Sequence, residues 1–387
     1  MGSYSGLKKI GIIGGGQLGK MMILEAKKMG FFVAVLDPAK DCPAHSVCDR
    51  HITASFDDEE AIFSLAGITD VLTYEFEHIN ANALLSLEEK GIKVYPSAKS
   101  LQIIQNKLAQ KTILFENGIA VPEFTAADSA DAILRAAKRF GFPLMLKSAT
   151  GGYDGKGNFV INSPDDINTA YEALGGGALP LFAEKFFPFE KEISVSACRG
   201  IGGEIKIYPV GENIHEESIL RKTKVPASIS DFSARKAMEL ARRVMEVFGG
   251  VGMFCVEMFV GPSGDVYVNE VAPRPHNSGH YTIEACAVSQ FEQHIRAVAG
   301  LPLGSPALLT PAVMINILGE GEKGEAEVSG LDSALEIEGA TVHIYGKAQS
   351  VPKRKMGHIT CIAKTLEEAD KKAEEAKSRI KIYGKKP

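Results

Sequence analysis

Residues 252–271, GMFCVEMFVGPSGDVYVNEV, predict a β-hairpin in the second half of the chain. Two apolar runs at 252–260 and 265–271 flank the turn GPSG at 261–264, and a glycine-containing turn between strand-like runs is typical of a hairpin. Glu257 and Glu270 fall on opposite arms. The position of the turn predicts that the numbers of two paired residues add to an odd total, as 257 and 270 do. We therefore expect the two carboxylates to lie opposite each other on one face.

The two acidic side chains suggest a divalent-cation site. Partly buried carboxylates beside apolar neighbours repel each other unless a cation lies between them. Hard oxygen ligands of this kind suit Mg²⁺ that also binds the phosphates of a nucleotide. Asn269 belongs to the opposite face of a regular strand, so it can contribute only through a bulge or at the strand end. The alternative is that Glu257 and Glu270 are unrelated surface acids on an amphipathic hairpin.

A glycine-rich loop follows another predicted strand. Lys147 ends an apolar run at 144–147, and TGGYDGKG follows at 150–157. Successive backbone N–H groups of such a loop can bind a phosphate chain, and Lys147 and Lys156 add positive charge. The loop is not a Walker A motif, because its glycine spacing is one residue short and Gly157 stands where Ser or Thr is required. The alternative is a flexible hairpin tip.

The first hundred residues alternate strand and helix signals. Apolar runs at 9–13, 31–36 and 71–74 alternate with helical patterns, an order typical of a parallel sheet with crossover helices. The spacing of Gly14, Gly16 and Gly19 fits G-x-G-x-x-G, and Asp37 ends the next strand. The motif fits a dinucleotide such as NAD. The same glycines also permit tight strand-to-helix packing in any doubly wound sheet. A helix N-terminus also holds other anions, including a substrate phosphate.

Polar residues are concentrated in two later segments. The segment NEVAPRPHNSGH at 269–280 is kept out of a helix by its prolines, which argues against a zinc-protease helix. Its Arg274 suits a planar anion such as bicarbonate or a carboxylate. A basic cluster lies nearer the C-terminus, with an ordinary surface patch as its alternative interpretation: Lys347, Lys353, Arg354 and Lys355.

Composition restricts the class of protein. The chain has 387 residues, enough for two or three domains. Its 43 basic and 48 acidic residues give a net charge of −5, which argues against a general nucleic-acid binder. Apolar runs are too short for a membrane helix, and the scattered cysteines favour reduced thiols. We therefore expect a cytoplasmic protein with no nucleic-acid or membrane partner.

Helical patterns and breaks suggest the domain limits. We expect single helices at 101–117 and 284–300, a serine-capped helix at 233–248 and a charged helix at 366–382. The pattern of predicted strands and helices changes near residue 100 and near residue 300. We therefore predict domains at 1–100, 101–300 and 301–387, with a lid lobe at about 112–190.

Taken together, the motifs resemble those of the ATP-grasp N5-carboxyaminoimidazole ribonucleotide synthetases of purine biosynthesis. The resemblance covers nearly the whole chain, and Lys353 departs from it where such enzymes often have glycine. It depends on GGGQLG (14–19), TYEFEHI (73–79), NKLAQK (106–111), TGGYDGKG (150–157), NEVAPRPHNSGH (269–280) and RKMGH (354–358).

The resemblance implies a fold of mixed α/β and α+β class. A Rossmann-like N-terminal domain would precede a two-lobed ATP-grasp region and a small β-rich C-terminal domain. The implied enzyme is a homodimeric, ATP- and Mg²⁺-dependent ligase that carboxylates 5-aminoimidazole ribonucleotide with bicarbonate through carboxyphosphate.

The resemblance also assigns nucleotide-binding roles to individual residues. Those implied to contact the ATP phosphates are Lys107, Lys147 and the lid loop Gly151, Gly152, Tyr153, Asp154, Gly155, Lys156 and Gly157. Those implied to hold adenine, ribose or the nearby nucleotide are Glu184, Lys185, Phe186, Phe187, Glu192 and His215. Those implied at the magnesium ion are Glu257 and Glu270, with Asn269 adjacent.

Substrate and catalytic roles follow in the same way. Those implied to face the ribonucleotide or bicarbonate are Tyr153, Asp154, Arg274, His276, Asn277 and Ser278. Those implied at the ribonucleotide phosphate are Lys347 and Arg354, with Gln17, Leu18 and Glu75 completing the site. The implied catalytic residues are Arg274, Asp154, Tyr153 and Lys147, and Asp154 would accept the amine proton.

Three other functions compete with this one. A formate-dependent glycinamide ribonucleotide transformylase shares the activation of a one-carbon acid. An NAD-dependent oxidoreductase would use the glycines at 14–19 but leaves the acidic pair and the loop at 150–157 unexplained. A non-catalytic nucleotide sensor would not need the full set of charged groups.

Overall fold

A computed structural model gives the structure of the protein for residues 6–152 and 157–385. The N-terminal part is a five-stranded parallel sheet in the order β3-β2-β1-β4-β5, which confirms the Rossmann-like arrangement. Its elements are β1 (Lys9–Ile13), α1 (Gln17–Lys28), β2 (Phe32–Leu36), β3 (Arg50–Ile52), α2 (Glu59–Gly67), β4 (Val71–Tyr74), α3 (Ala81–Glu89) and β5 (Lys93–Val94).

Two helices, α4 (Ala98–Gln105) and α5 (Lys107–Glu116), follow this sheet. The single helix expected at 101–117 is wrong, because the backbone becomes extended at Asn106. The Asn106 side chain accepts a hydrogen bond from Ala109 N at 3.0 Å and so caps α5. The break gives Lys107 a place in the first turn of a new helix.

A small antiparallel sheet has the strand order β6-β9-β7-β8. Its elements are β6 (Phe124–Ala126), α6 (Ala130–Phe140), β7 (Leu144–Ser148), β8 (Asn158–Ile161), α7 (Asp166–Ala173) and β9 (Leu181–Lys185). Both helices pack their apolar faces against this sheet.

A larger antiparallel sheet begins with the order β15-β14-β10-β12-β13. Its hydrophobic core lies between the sheet and α8. The elements of this part are β10 (Lys191–Arg199), β11 (Ile205–Ile207), β12 (Gly211–Glu216), β13 (Ile219–Val225), α8 (Asp231–Phe248), β14 (Gly252–Val260), β15 (Val266–Ala272), α9 (Thr282–Ala285) and α10 (Gln290–Ala299).

Two expectations about these helices need correction. Helix α8 begins at Asp231, and the serine that caps it is Ser230. The single helix expected at 284–300 is wrong, because α9 ends before Cys286 and a separate helix α10 starts at Gln290. The Ser289 side chain accepts a hydrogen bond from Glu292 N at 3.1 Å, which caps α10.

The C-terminal part continues the larger sheet. Strand β16 pairs antiparallel with both β13 and β20, so one twelve-stranded sheet joins the two parts. The final helix ends at Arg379, before the expected residue 382, and β21 follows it. The elements are β16 (Ala312–Glu320), β17 (Gly324–Ser329), α11 (Leu331–Leu335), β18 (Ala340–Ile344), β19 (Gln349–Ser350), β20 (Lys355–Ile362), α12 (Leu366–Arg379) and β21 (Lys381–Lys385).

Two further observations concern the environment of the chain. Among the described residues, no helix combines the length and apolar character needed to cross a bilayer. The six cysteines are all free thiols, as the scattered spacing predicts.

Candidate active site

A cleft of about 670 Å³ brings together residues from all three parts of the chain. The predicted site residues that line it are Gln17, Leu18, Glu75, Lys107, Lys147, Gly151, Gly152, Glu192, His215, Glu257, Asn269, Glu270, Arg274, His276 and Asn277. Those that do not line it are Gly157, Glu184, Lys185, Phe186, Phe187, Ser278, Lys347 and Arg354. The predicted roles of Tyr153, Asp154, Gly155 and Lys156 lie outside the described residues.

The hairpin of β14 and β15 pairs Glu257 directly with Glu270, as predicted. The register nearer the turn differs from the expectation, because Met258 pairs with Val268 and the pairing sum there is even. Asn269 is the extra residue of a β-bulge, which restores the odd sum at the two glutamates. The bulge also brings Asn269 into the cleft, where Lys147 Nζ donates to its Oδ1 at 3.4 Å.

The paired carboxylates have an unfavourable charge arrangement without a cation. Burial, followed by repulsion from Glu270, raises the pKa of Glu257 to about 7. Lys107 Nζ lies 2.9 Å from Glu270 Oε2. Burial opposes the charge of Lys107, but Glu270 and Glu257 raise its pKa above the ordinary value. The donor set therefore suits a cation held between Glu257 and Glu270.

The chemistry of these donors fits Mg²⁺ bound together with phosphate oxygens. Within 6–152 and 157–385, no three His, Cys, Asp or Glu side chains converge as metal ligands. Two carboxylates with phosphate and water oxygens are the usual ligands of Mg²⁺ at nucleotide sites. Glu257, Glu270 and the adjacent Asn269 would hold the ion.

Two buried lysines meet at one glutamate behind the cleft. Glu184 Oε1 lies 2.7 Å from Lys147 Nζ, and its Oε2 lies 2.5 Å from Lys111 Nζ. Burial opposes the charge of Glu184, but Lys111 and Lys147 lower its pKa. Burial lowers the pKa of Lys111, whereas Glu184 raises it. With both lysines protonated, the formal charges of the trio add to +1, which suits a bound phosphate. Lys111 was not predicted as a site residue, although it ends the NKLAQK motif at 106–111.

Aromatic residues form one end of the cleft. Phe189 and Phe259 line it and are stacked with ring centroids 4.6 Å apart. Phe187 packs against Phe259 and, at 4.7 Å, against Tyr267. Stacked and apolar surfaces of this kind suit a planar base. Neighbouring Phe186 is partly exposed.

Polar pairs border this aromatic end. Lys185 Nζ forms an exposed ion pair with Glu123 Oε1 at 2.8 Å. His215 Nδ1 lies 2.6 Å from Glu192 Oε2. Burial works against the charged imidazole, but the hydrogen bond and charge of Glu192 raise the pKa of His215. Glu192 and His215 thus form a hydrogen-bonded pair beside the aromatic surface.

Arg274 is held across the cleft by a residue of the first domain. Its Nε lies 2.9 Å from Glu77 Oε1, and its Nη2 donates to Glu77 Oε2 at 3.1 Å. This two-point contact fixes the guanidinium plane. Glu77 was missed, although it stands in the quoted TYEFEHI motif, because the sequence does not reveal which distant residue it contacts.

Residues 276–278 continue this polar wall. Burial, followed by the charge of Arg274, holds the pKa of His276 well below its usual value, so the imidazole is neutral. Its Nε2 lies 3.8 Å from Glu257 Oε1. Asn277 exchanges two hydrogen bonds with Asn316, at 2.9 and 2.6 Å. Ser278 is buried beside the cleft.

The glycines of residues 14–19 accommodate a carboxylate of the protein itself. The Glu75 side chain accepts hydrogen bonds from Gly16 N and, at 2.6 Å, from Gly19 N. A Cβ atom on Gly14 would lie 2.4 Å from the Glu75 side chain. Glu75 therefore occupies the anion-binding position at the start of α1. This geometry removes the basis for a dinucleotide pyrophosphate there, so the NAD alternative is wrong.

The basic residues of the C-terminal part are divided between two places. Lys355 lines the main cleft, whereas Lys347 lines a neighbouring cavity of about 540 Å³. Burial, followed by repulsion from Arg354, lowers the pKa of Lys347 to about 8. Arg354 Nη1 donates to Gln349 O at 2.9 Å. Lys347 Nζ donates to Lys355 O at 2.7 Å, so Lys347 lies next to a residue that lines the main cleft.

Lys353 adopts a left-handed backbone conformation with φ of 65°, which favours glycine. Its Nζ lies 2.6 Å from Glu217 Oε2 at the tip of the β12–β13 hairpin. The substitution of lysine at a position where similar enzymes often have glycine therefore adds a surface contact between two loops.

Comparisons with known proteins cover all three parts of the chain. Residues 7–105 match the ribonucleotide synthetase preATP-grasp domain, 112–291 the ATP-grasp domain, and 312–372 the phosphoribosylaminoimidazole carboxylase C-terminal domain. The N5-carboxyaminoimidazole ribonucleotide synthase of Bacillus subtilis is 44% identical over 351 residues, which are 91% of this chain and 90% of that protein. The phosphoribosylaminoimidazole carboxylase of Candida albicans is 41% identical, and the match covers 94% of this chain but 65% of that protein. The chain thus spans about two thirds of the length of such fungal relatives.

Solved structures agree with these matches. N5-carboxyaminoimidazole ribonucleotide synthetase from Thermotoga maritima has a TM-score of 0.90 and 46% identity, covering 98% of this chain and 100% of that one. The Aspergillus clavatus enzyme, in complex with ADP and 5-aminoimidazole ribonucleotide, has a TM-score of 0.89 and 38% identity, covering 96% and 99%. The chain therefore belongs to the N5-carboxyaminoimidazole ribonucleotide synthases, a family of ATP-grasp ligases.

Proposed function

We propose that the chain carboxylates 5-aminoimidazole ribonucleotide with bicarbonate at the expense of ATP, giving N5-carboxyaminoimidazole ribonucleotide, ADP and phosphate. The observation that carries the proposal is the directly paired Glu257 and Glu270 in one cleft with Lys107, Lys147 and Arg274. An enzyme of this family has been crystallised with ADP and the same ribonucleotide.

The nucleotide lies, in this proposal, between the two antiparallel sheets. Glu184 and the backbone of residues 185–187 hold the adenine, which packs against Phe189 and Phe259. Glu192 accepts hydrogen bonds from the ribose hydroxyls, and Lys107 and Lys147 neutralise phosphate oxygens. Mg²⁺, when bound, supplies positive charge that orients the phosphates and disperses the charge on the transferred group. Backbone N–H groups of the glycine loop would cover the phosphate chain.

The first chemical step activates bicarbonate. A bicarbonate oxygen attacks the γ-phosphorus, the bond from that phosphorus to the ADP oxygen breaks, and carboxyphosphate forms. Positioning and charge neutralisation supply most of the catalysis in such transfers. Lys147 neutralises the transferred phosphoryl group, and Arg274, fixed by Glu77, binds the carboxylate end.

The second step joins carbon to nitrogen. The exocyclic amine of the ribonucleotide attacks the carboxyl carbon of carboxyphosphate, or carbon dioxide released from it, and inorganic phosphate departs. Asp154 accepts the amine proton in this proposal. The Nδ1 atom of His276 accepts a hydrogen bond from Ser278 N at 3.3 Å. The neutral imidazole therefore carries its proton on Nε2, which is free to donate a hydrogen bond. Exclusion of water protects the activated carbonate.

The remaining roles concern binding of the ribonucleotide and assembly. Lys347 and Arg354 bind its phosphate, and Gln17, Leu18 and Glu75 complete its site from the first domain. Domain limits near 100 and 300, a homodimer and a cytoplasmic location complete the proposal. The free thiols support a reducing compartment.

Phosphate release from ATP tests the proposal. We expect release that requires Mg²⁺, bicarbonate and 5-aminoimidazole ribonucleotide together, with the carboxylated product trapped from labelled bicarbonate. Phosphate release that requires formate and glycinamide ribonucleotide would support the transformylase alternative. A protein that consumes no ATP with either pair would overturn the proposal.

A further inference from the structure

Two buried glutamine side chains hold the backbone at Val271 and at His276. Gln110 Nε2 donates to Val271 O at 3.0 Å, and Val271 N donates to Gln110 Oε1 at 2.8 Å. Gln290 holds His276 in the same way, with Nε2 donating to His276 O at 2.7 Å and Oε1 accepting from His276 N at 2.9 Å. Each side-chain amide thus replaces a neighbouring strand as the backbone partner.

These amides are shielded from solvent. Gln110 is 1% exposed and Gln290 is 0% exposed. A buried carbonyl or N–H that loses its partner costs more than an exposed one, since no water replaces the bond. A Cβ atom on Gly279 would lie 2.4 Å from Gln290 Oε1. The glycine of the quoted NEVAPRPHNSGH motif therefore leaves room for the amide of Gln290.

We call each of these two amide–backbone contacts a clamp. The clamped residues, Val271 and His276, lie at opposite ends of one segment of the candidate site. Val271 directly follows Glu270, whose carboxylate faces Lys107. His276 lies two residues after Arg274 and lines the cleft. Between the clamps, Pro273 and Pro275 lack backbone N–H groups and cannot anchor the chain by donation. The side-chain amides thus fix both ends of a stretch that cannot pair as a regular strand.

We propose that Gln110 and Gln290 are positioning residues that separately align the two halves of the reaction. Gln110 fixes the Glu270 end, where the nucleotide and its metal ion bind, and Gln290 fixes the Arg274–His276 end, where the ribonucleotide and bicarbonate bind. The assignment of the halves depends on the proposed function, whereas the clamps themselves are features of the structure.

The chain offers a matched control on helix α10. Gln293 is also 0% exposed, and it makes the same two bonds with another backbone residue. Its Nε2 donates to Gly304 O at 2.9 Å, and Gly304 N donates to its Oε1 at 2.7 Å. Neither Gln293 nor Gly304 lines the cleft. A purely structural clamp is thus available beside the two proposed positioning clamps.

The test compares Gln110→Met, Gln290→Met and Gln293→Met, which keep similar side-chain length and remove both bonds. We expect Gln110→Met to raise KM for Mg·ATP by about tenfold or more, and Gln290→Met to do so for the ribonucleotide and bicarbonate. The other substrate's KM should stay within about twofold in each case. Gln293→Met should lower the melting temperature to a similar extent without moving any KM.

The outcomes separate the two proposals. Wild-type protein that releases no phosphate overturns the proposed function, and calorimetric Kd values for Mg·ATP and the ribonucleotide then test the clamps directly. Active wild type with equal KM changes in both clamp variants, or with clamp variants that behave like Gln293→Met, overturns the positioning role. Should a methionine variant not fold, the glutamate substitutions at the same three positions, which retain one of the two bonds, are compared in the same way.

Discussion

Replacement of Glu257 by glutamine should stabilise the metal-free protein at alkaline pH while removing its use of ATP. Burial and Glu270 raise the pKa of Glu257 from 4.5 to about 7. A carboxyl whose pKa rises on folding destabilises the folded state above that folded pKa, and the cost fades as the pH falls toward the unfolded value. One pKa unit corresponds to about 1.4 kcal/mol, so the difference between 4.5 and about 7 gives a cost above pH 8 of at most about 3.5 kcal/mol.

Partial exposure reduces this limit. The Glu257 side chain is 26% exposed, and solvent screening leaves an expected gain of about 1 to 3 kcal/mol for Glu257→Gln at pH 8. The gain should shrink below about pH 7 and fall under about 1 kcal/mol near pH 5. Thermal unfolding in EDTA at both pH values measures it, with Glu246→Gln on the exposed face of α8 as a control that should show no such difference.

Addition of Mg·ATP completes the assay. A ligand at a hundred times its Kd stabilises the folded state by about 2.7 kcal/mol, so the wild-type melting temperature should rise, whereas that of Glu257→Gln should rise little. Phosphate release by the variant should fall by orders of magnitude. A variant no more stable than wild type at pH 8, yet equally protected by Mg·ATP, would refute the reasoning.

Three further substitutions test other parts of the cleft. Glu270→Gln removes a carboxylate from the proposed metal site, so ATP turnover should fall by orders of magnitude; near-normal turnover would contradict the metal role. Arg354→Ala removes a charge-assisted bond of about 1.5–3 kcal/mol, so KM for the ribonucleotide should rise about tenfold to a hundredfold while KM for ATP stays constant; the reverse pattern would refute the phosphate assignment. Lys353→Gly relieves a left-handed backbone conformation at the loss of one exposed ion pair, so the free energy of unfolding should change by less than about 1 kcal/mol, in the stabilising direction; a marked fall in melting temperature would show that the contact with Glu217 matters more than the strain.

The sequence predicted correctly those strands and helices that depend mainly on residues close to one another in the chain. The hairpin turn and the apolar runs at 252–260 and 265–271 fix their own strands, and the pairing of Glu257 with Glu270 followed from them. The bulge at Asn269, which shifts the register between the turn and the two glutamates, could not be predicted from the sequence. The break at Asn106 was missed because the helical periodicity continues across it.

Contacts between distant parts of the chain were harder to predict. The sequence indicated which motifs belong to the site, but not that Lys111 meets Glu184 or that Glu77 holds Arg274. These pairs depend on how separately folded layers meet, and no spacing rule within one segment encodes that. The glycine motif suggested a dinucleotide for a related reason, because the anion at the start of α1 is the carboxylate of Glu75, which directly follows β4 in another part of the sheet.

The junction of β13 and β16 has a consequence for how the chain can be divided. Ladder bonds join Lys222 to Ile315 and Val225 to Ala312. A protein shortened before Ala312 would leave the backbone of β13 as an open edge, ready to recruit strands from other molecules. The C-terminal part therefore protects its neighbour against self-association, whatever it contributes to binding.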